Sequence, residues 1–230
     1  MADSPRMIQT VRVVGTGRAG STIAARLAER GLAVRSGREP LADADLVLLA
    51  VPDGAIAGVA QQVPIGSWVA HVSGATSLRA LDPHTRRFSV HPLQTLTRER
   101  GPEQLDGAWA AVTSETDDAR EVARWLAETL GLQPFDLADA DKPLYHAGAA
   151  MASNFMVTLH AAAARLLEES HAPAEALVPL MTRTIENGFV LTGPIARGDW
   201  STVEAHLRAL EERAPDLVPL YRALAEATRP

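Results

Sequence analysis

The chain has 230 residues, 47% of them hydrophobic and 22% charged, with a net charge of −6 and no cysteine. This is the composition of an ordinary globular protein, long enough for one large domain or two smaller ones, and no apolar run approaches the roughly 20 residues that a membrane span needs. Scattered Lys and Arg under a negative net charge argue against a nucleic-acid partner, and the absence of cysteine excludes disulfides, thiol nucleophiles and Cys-ligated metals and fits a cytoplasmic setting.

The first six residues, MADSPR, lack the apolar core of a signal peptide and read as a loose tail. A β-branched run (Val11, Val13, Val14) then passes through Gly15-Thr16-Gly17-Arg18-Ala19-Gly20 into an amphipathic run ending at Gly31. Strand, glycine turn and helix in that order are the context that gives G-x-G-x-x-G its meaning: a tight turn at Gly15, backbone approach to a pyrophosphate at Gly17, and close helix–strand packing at Gly20. The anion would rest on the positive end of the helix starting near Arg18.

"LAVRSGRE" reads as the second strand. NAD-binding folds carry an acidic residue at its end for the ribose 2′-hydroxyl; here stand Arg35, Ser36 and Arg38, groups suited to a 2′-phosphate, so NADP is expected ahead of NAD. "ADLVLLAVPDGAIAGVA" is a central, fully apolar strand running through Val51, Pro52 and Asp53 into a helix, with Asp53 also a candidate helix cap. Two further strands end at Ser73-Gly74 and at His91-Pro92-Leu93-Gln94; "GAWAAVTS", the helix "TDDAREVARWLAETLG" and the strand "LQPFDL" complete a first domain over residues 1–140. Ligands of open α/β sheets lie beyond the carboxyl ends of strands, which places Val51, Pro52, Asp53, Ser73 and Gly74 along the cofactor. The link from Gly37 to Leu46 is too short for a further helix and strand.

Residues 141–230 read as all-helical. From Asp141 to His171 the spacing is that of one long helix, with Leu144, Gly148, Met151, Phe155, Leu159, Ala162 and Leu166 on one face as core. Lys142, His146, Ser153 and His160 line the nearly opposite face, with Asn154 at its flank. So small a helical domain buries little alone, and a homodimer is expected.

The motifs "GTGRAG", "AVPD", "HVSGA", "HPLQT", "KPLYHAGAAMASNF" and "LTGPIARGD", in that order over nearly the whole chain, resemble the Rossmann-like proteins that carry the domain of unknown function 2520. These are distant relatives of pyrroline-5-carboxylate reductase, ketopantoate reductase and the 6-phosphogluconate dehydrogenase-like β-hydroxyacid dehydrogenases. The resemblance implies an α/β, Rossmann-like NAD(P)-binding domain followed by a smaller, dimerising helical domain. It departs from the hydroxyacid dehydrogenases at one point: they place Asn four residues after a Lys on the long helix, whereas here Lys142 is followed at that spacing by His146, and Asn154 comes two turns later.

Hydride transfer to a carbonyl or imine carbon also needs a proton source. His146 suits neutral pH; Lys142 must be desolvated to serve. His91, with Gln94 beside it, is placed to orient a polar group of a small-molecule substrate, and Asn154 completes the candidate catalytic set. The expected function is NADP-dependent reduction of a small carbonyl or imine compound between the two domains. The alternative is a non-catalytic NADP-binding sensor or scaffold that acts through partner contacts.

Overall fold

The computed structural model describes residues 8–37 and 44–229. Arg38 and the middle of the link between the second and third strands fall outside the described residues.

The first half alternates as its pattern predicts. Strand β1 (Thr10–Val14) leads into helix α1 (Arg18–Glu29), followed by β2 (Ala33–Gly37), β3 (Leu46–Leu49), α2 (Asp53–Ala60), β4 (Trp68–His71), β5 (Arg87–Pro92), β6 (Trp109–Ser114), α3 (Asp117–Thr129) and β7 (Gln133–Asp136). They form one seven-stranded sheet in the order β2-β1-β3-β4-β5-β6-β7. Strands β1 to β5 run parallel; β6 pairs antiparallel with β5, and β7 parallel with β6.

Both sheet faces are covered, which is why β3 is uniformly apolar and buried. Val13, Leu48, Ala70, Phe88, Val90 and Val112 pack with α1 and α3 residues such as Ile23, Leu27, Ala123 and Leu126. On the opposite face Val14, Leu49 and Val69 pack with Ile56 and Ala60 of α2 and with Leu78 and Leu81. That second face turns polar toward β5 and β6, where His71, Ser89 and Thr113 stand in register across three strands. All three are buried.

The second half is helical: α4 (Lys142–Ala152), α5 (Asn154–Glu169), α6 (Leu177–Glu186), α7 (Trp200–Arg213) and α8 (Val218–Ala227). The single long helix expected from Asp141 to His171 is two helices, broken at Ser153 (φ −115°, ψ −67°). Ser and Asn compete with the helical backbone through their own side chains and are poor interior residues. The chain divides into compact units at 150/151, later than the sequence boundary at 140/141. The reason lies in α4, whose Lys142 and Tyr145 are hydrogen-bonded to the sheet and its loops.

The stripe expected as core is not core in this chain. Leu144, Met151, Phe155 and Leu159 are all exposed, and among the described residues neither α5 nor α8 has a buried residue. A unit this small has too little facing surface to cover its own apolar stripes. Within it, Asp199 caps α7 by accepting from the Thr202 amide (3.2 Å), and His206 pairs with Tyr221 (2.8 Å).

Candidate functional site

The glycine turn separates into two structural positions and one free one. Gly15 has φ +123°, and a Cβ there would lie 2.2 Å from the Ala50 carbonyl oxygen. A Cβ on Gly20 would lie 2.2 Å from the Gly15 carbonyl oxygen. Both glycines are therefore demanded by the close approach of β1, β3 and α1. Gly17 is different: its backbone is ordinary extended (φ −73°, ψ −176°) and a Cβ would meet no atom within 4 Å. Nothing among the described residues requires glycine there.

Gly17 is also the N-cap of α1, with no side-chain cap and no acidic residue in the first turn. Helix α3, by contrast, is capped by Thr116 and opens with Asp117 and Asp118. Among the described residues, the start of α1 thus presents uncapped amides and a positive helix end to open space flanked by exposed Thr16 and Arg18 and half-buried Ala19. These residues fit the pyrophosphate of a dinucleotide. Ser36 and Arg35 are exposed on β2. Pro52 and Asp53 are exposed at the start of α2 and Val51 is half-buried; Asp53 lies in the first turn, and Pro52, not Asp53, is the cap residue.

Ser73 and Gly74, expected along the cofactor, are occupied by the protein itself. The buried Ser73 hydroxyl donates to Thr76 Oγ1 (2.9 Å) and accepts from the amides of Ala75 (3.2 Å) and Thr76 (3.0 Å), turning the chain after β4. A Cβ on Gly74 would fall 2.8–2.9 Å from three atoms of the His91 ring. Gly74 is the seat of that imidazole.

His91, at the end of β5, gathers the rest of the cluster. Its Nδ1 is 2.7 Å from the Tyr145 hydroxyl, and its ring lies edge-on to Tyr145 at 5.5 Å and to His146 at 6.1 Å. Burial lowers its pKa to about 4, helped by neighbouring His146 and Lys142 and opposed by Asp53. Gln94, expected beside it, instead donates to the Gln104 carbonyl (3.2 Å) and accepts from the Thr95 amide (2.9 Å). His146 is exposed on α4. Asn154 opens α5 in the second compact unit.

Lys142 is buried beneath α4. Its ammonium donates to the Thr76 carbonyl (2.7 Å) and Ser89 Oγ (2.9 Å) and pairs with Asp139 (3.3 Å). An ammonium has three donors, and these three acceptors use them all. Burial pulls its pKa below the usual lysine range, opposed by the Asp139 carboxylate. Asp139 also accepts from Ser77 Oγ and from the Leu78 amide (3.0 Å); although burial works to raise its pKa, these bonds and Lys142 hold it low. Sequence reading missed Asp139, Ser77, Thr76 and Ser89. The acid three residues before Lys142 was the legible signal.

His71, fully buried on β4, accepts from the Ser73 amide at Nδ1 (3.2 Å), while Nε2 has no partner among the described residues. Burial, with Lys142, pushes its pKa down to about 3. Both His71 and His91 are held below 6.5, so the unfolded chain binds these protons first and stability falls as pH falls. The contribution is complete above 6.5 and is lost progressively toward pH 4, with His71 alone worth on the order of 3 kcal/mol over that span. Urea denaturation at pH 7 and pH 4 measures it, and His71→Asn is expected to flatten the dependence.

The fold is that of the Rossmann-like class: residues 7–95 match the Rossmann-like domain. Residues 108–228 match the family described as domain of unknown function DUF2520, and the chain belongs to that family. Three solved structures show the same fold. A protein from Bacteroides fragilis, named provisionally as an NADP oxidoreductase, is 18% identical, with 96% of this chain and 97% of that one covered at a TM-score of 0.78. A protein from Thermotoga maritima is 25% identical, with 94% and 98% covered at 0.70. An NADH-preferring ketol-acid reductoisomerase from an uncultured archaeon is 15% identical, with 95% and 81% covered at 0.64. Comparison with curated proteins gives no match. Among the described residues no helix is long and apolar enough to cross a membrane.

Proposed function

We propose that this protein is an NAD(P)-dependent oxidoreductase, NADP ahead of NAD, that reduces a small carbonyl or imine compound in the cytoplasm. The observation that carries the reading is Gly17: a glycine that neither backbone nor packing requires, at an uncapped, acid-free helix start facing open space. A bound pyrophosphate gives it a reason. Ser36, Arg35 and Arg38 fit the 2′-phosphate by charge and hydrogen-bonding capacity.

The dinucleotide, when bound, supplies a hydride to an electrophilic carbon. The chain's own residues do the rest. From β1 to β5 is three interstrand steps, about 14 Å, so His91 and His146 stand at the same carboxyl edge within reach of an extended dinucleotide whose pyrophosphate rests on α1. His146, exposed beside the His91 ring, gives the proton to the substrate heteroatom. Lys142, with its donors engaged, ties α4 to the sheet and so positions His146 and Tyr145. Asn154, a candidate catalytic residue from its place at the flank of the polar helix face, and the "LTGPIARGD" loop, assigned to substrate binding on the family resemblance, belong to the second unit. The exposed apolar residues Phe155, Val157, Val178 and Leu180 support a homodimer, since a second copy would cover them.

Calorimetric titration with NADPH, NADH and their oxidised forms tests the cofactor. NADPH is expected to bind more tightly than NADH, and failure of all four to bind would overturn the reading. His146→Ala is expected to lower kcat by about 10²-fold with NADPH affinity unchanged, read from loss of nicotinamide absorbance with the substrate found by screening keto and imino acids. An undiminished kcat would remove His146 from the proton-donor role.

A further inference from the structure

The proposed reaction leaves Tyr145 without a role, yet Tyr145 is closely held. Its ring is edge-on to Phe135 (6.0 Å, 64°) and to His91 (5.5 Å, 87°), and Phe135 packs in turn on Trp109 (6.2 Å). Its hydroxyl has His91 Nδ1 at 2.7 Å. Of the two directions open to that bond, one is chemically favoured. A phenol O–H is a better donor than a neutral imidazole N–H, and an imidazole nitrogen is a better acceptor than a phenol oxygen. Tyr145 therefore donates and Nδ1 accepts. In a neutral histidine the ring proton then resides on Nε2, because the bond made by one nitrogen decides which tautomer is present.

We propose that Tyr145 locks His91 in the Nε2–H tautomer, so that His91 offers a fixed, neutral N–H donor to the carbonyl oxygen of the substrate. The proposal rests on the oxidoreductase reading and narrows it, since a carbonyl oxygen accepts such a bond and a protonated imine nitrogen cannot. Three further observations support it. Gly74 lies against the His91 ring, with no space between them for a β-carbon, so the imidazole is confined on that side as well. Burial, with His146 and Lys142 nearby, holds His91 at a pKa of about 4, leaving it uncharged at neutral pH even though Asp53 pulls the other way. Burial also lifts Tyr145 to about 12, so it keeps the proton it donates. A neutral imidazole can stabilise the negative charge that grows on an oxygen without surrendering its own proton. Tyr145 is on this reading a positioning residue, and His91 the group that touches substrate.

The test is nuclear magnetic resonance on the full-length protein with 15N-labelled imidazoles, the His91 signals being assigned by their loss in His91→Gln. Across pH 5 to 8, His91 is expected to remain neutral and carry its proton on Nε2. Tyr145→Phe keeps the ring packing and removes only the hydroxyl; it is expected to give a mixture of the two neutral tautomers, with His91 still uncharged because its burial and its neighbours His146 and Lys142 are unchanged. An Nδ1–H signal in the wild type, or no change in Tyr145→Phe, would overturn the lock. Adding NADP+ with glyoxylate, the smallest 2-oxo acid, is expected to move the His91 Nε2 resonance in the wild type and less so in Tyr145→Phe; no movement overturns the carbonyl role. Calorimetry with NADPH alone separates the two hypotheses. If it shows no binding, the oxidoreductase reading fails and the carbonyl role with it, while the tautomer spectra still decide the lock.

Discussion

Gly17→Leu is expected to abolish dinucleotide binding, lowering NADPH affinity by at least about 10²-fold, while leaving conformational stability within about 1 kcal/mol of the wild type. The stability half of that statement follows from the extended backbone at Gly17 and from the absence of any atom within 4 Å of the added Cβ. The binding half follows because the new side chain occupies the space above the free amides of α1. Gly20→Ala is the control with the opposite sign. Its Cβ would lie 2.2 Å from the Gly15 carbonyl oxygen, a backbone atom that cannot swing aside, so a loss of about 3 kcal/mol is expected. Urea denaturation and calorimetric titration on both variants separate the cases. Retained NADPH binding in Gly17→Leu would remove the cofactor assignment, and an unstable Gly17→Leu would show that the fold, not a ligand, demands the glycine.

Lys142→Met is the second large effect. It removes one partner of a buried ion pair and leaves the Thr76 carbonyl, Ser89 Oγ and Asp139 without their shared donor. Breaking such a pair from one side costs about 3–5 kcal/mol when both partners are buried; Asp139 is partly exposed, so about 2–3 kcal/mol is expected here. Ser89→Ala, which removes one hydrogen bond and leaves the ion pair, is expected to cost about 1 kcal/mol. Amide exchange over residues 142–150 should rise in Lys142→Met, because α4 loses its main polar tie to the sheet. The alternative role for Lys142, a proton donor to substrate, makes a different prediction: normal stability and slow exchange together with lost turnover. That combination would return Lys142 to the chemistry.

Local pattern alone made much of this protein legible. The β-branched runs, the glycine turn and the apolar β3 announce a Rossmann-like sheet, because strand and helix periodicities and the steric demands of glycine are properties of neighbouring residues. The helical second half was readable from its spacing, and the DUF2520 family from the resemblance that the quoted motifs carry. What no local pattern contains is which side chains meet across the sheet. Ser73 and Gly74 look like cofactor contacts in the sequence, yet one closes its own loop and the other seats His91 from the neighbouring strand. Lys142 looks like a proton donor on a polar helix face, yet Thr76 and Ser89 converge on it from two distant segments and join the neighbouring Asp139. The Tyr145–His91 bond joins residues 54 positions apart. Such meetings depend on strand order and register, which place His71, Ser89 and Thr113 in one row and bring α4 down on it. The sequence by itself determined the order of strands and helices and the glycine turn. Only the tertiary structure decided which polar groups hold the fold and which remain free, because a side chain's partners are set by what packs against it and not by what precedes it in the chain.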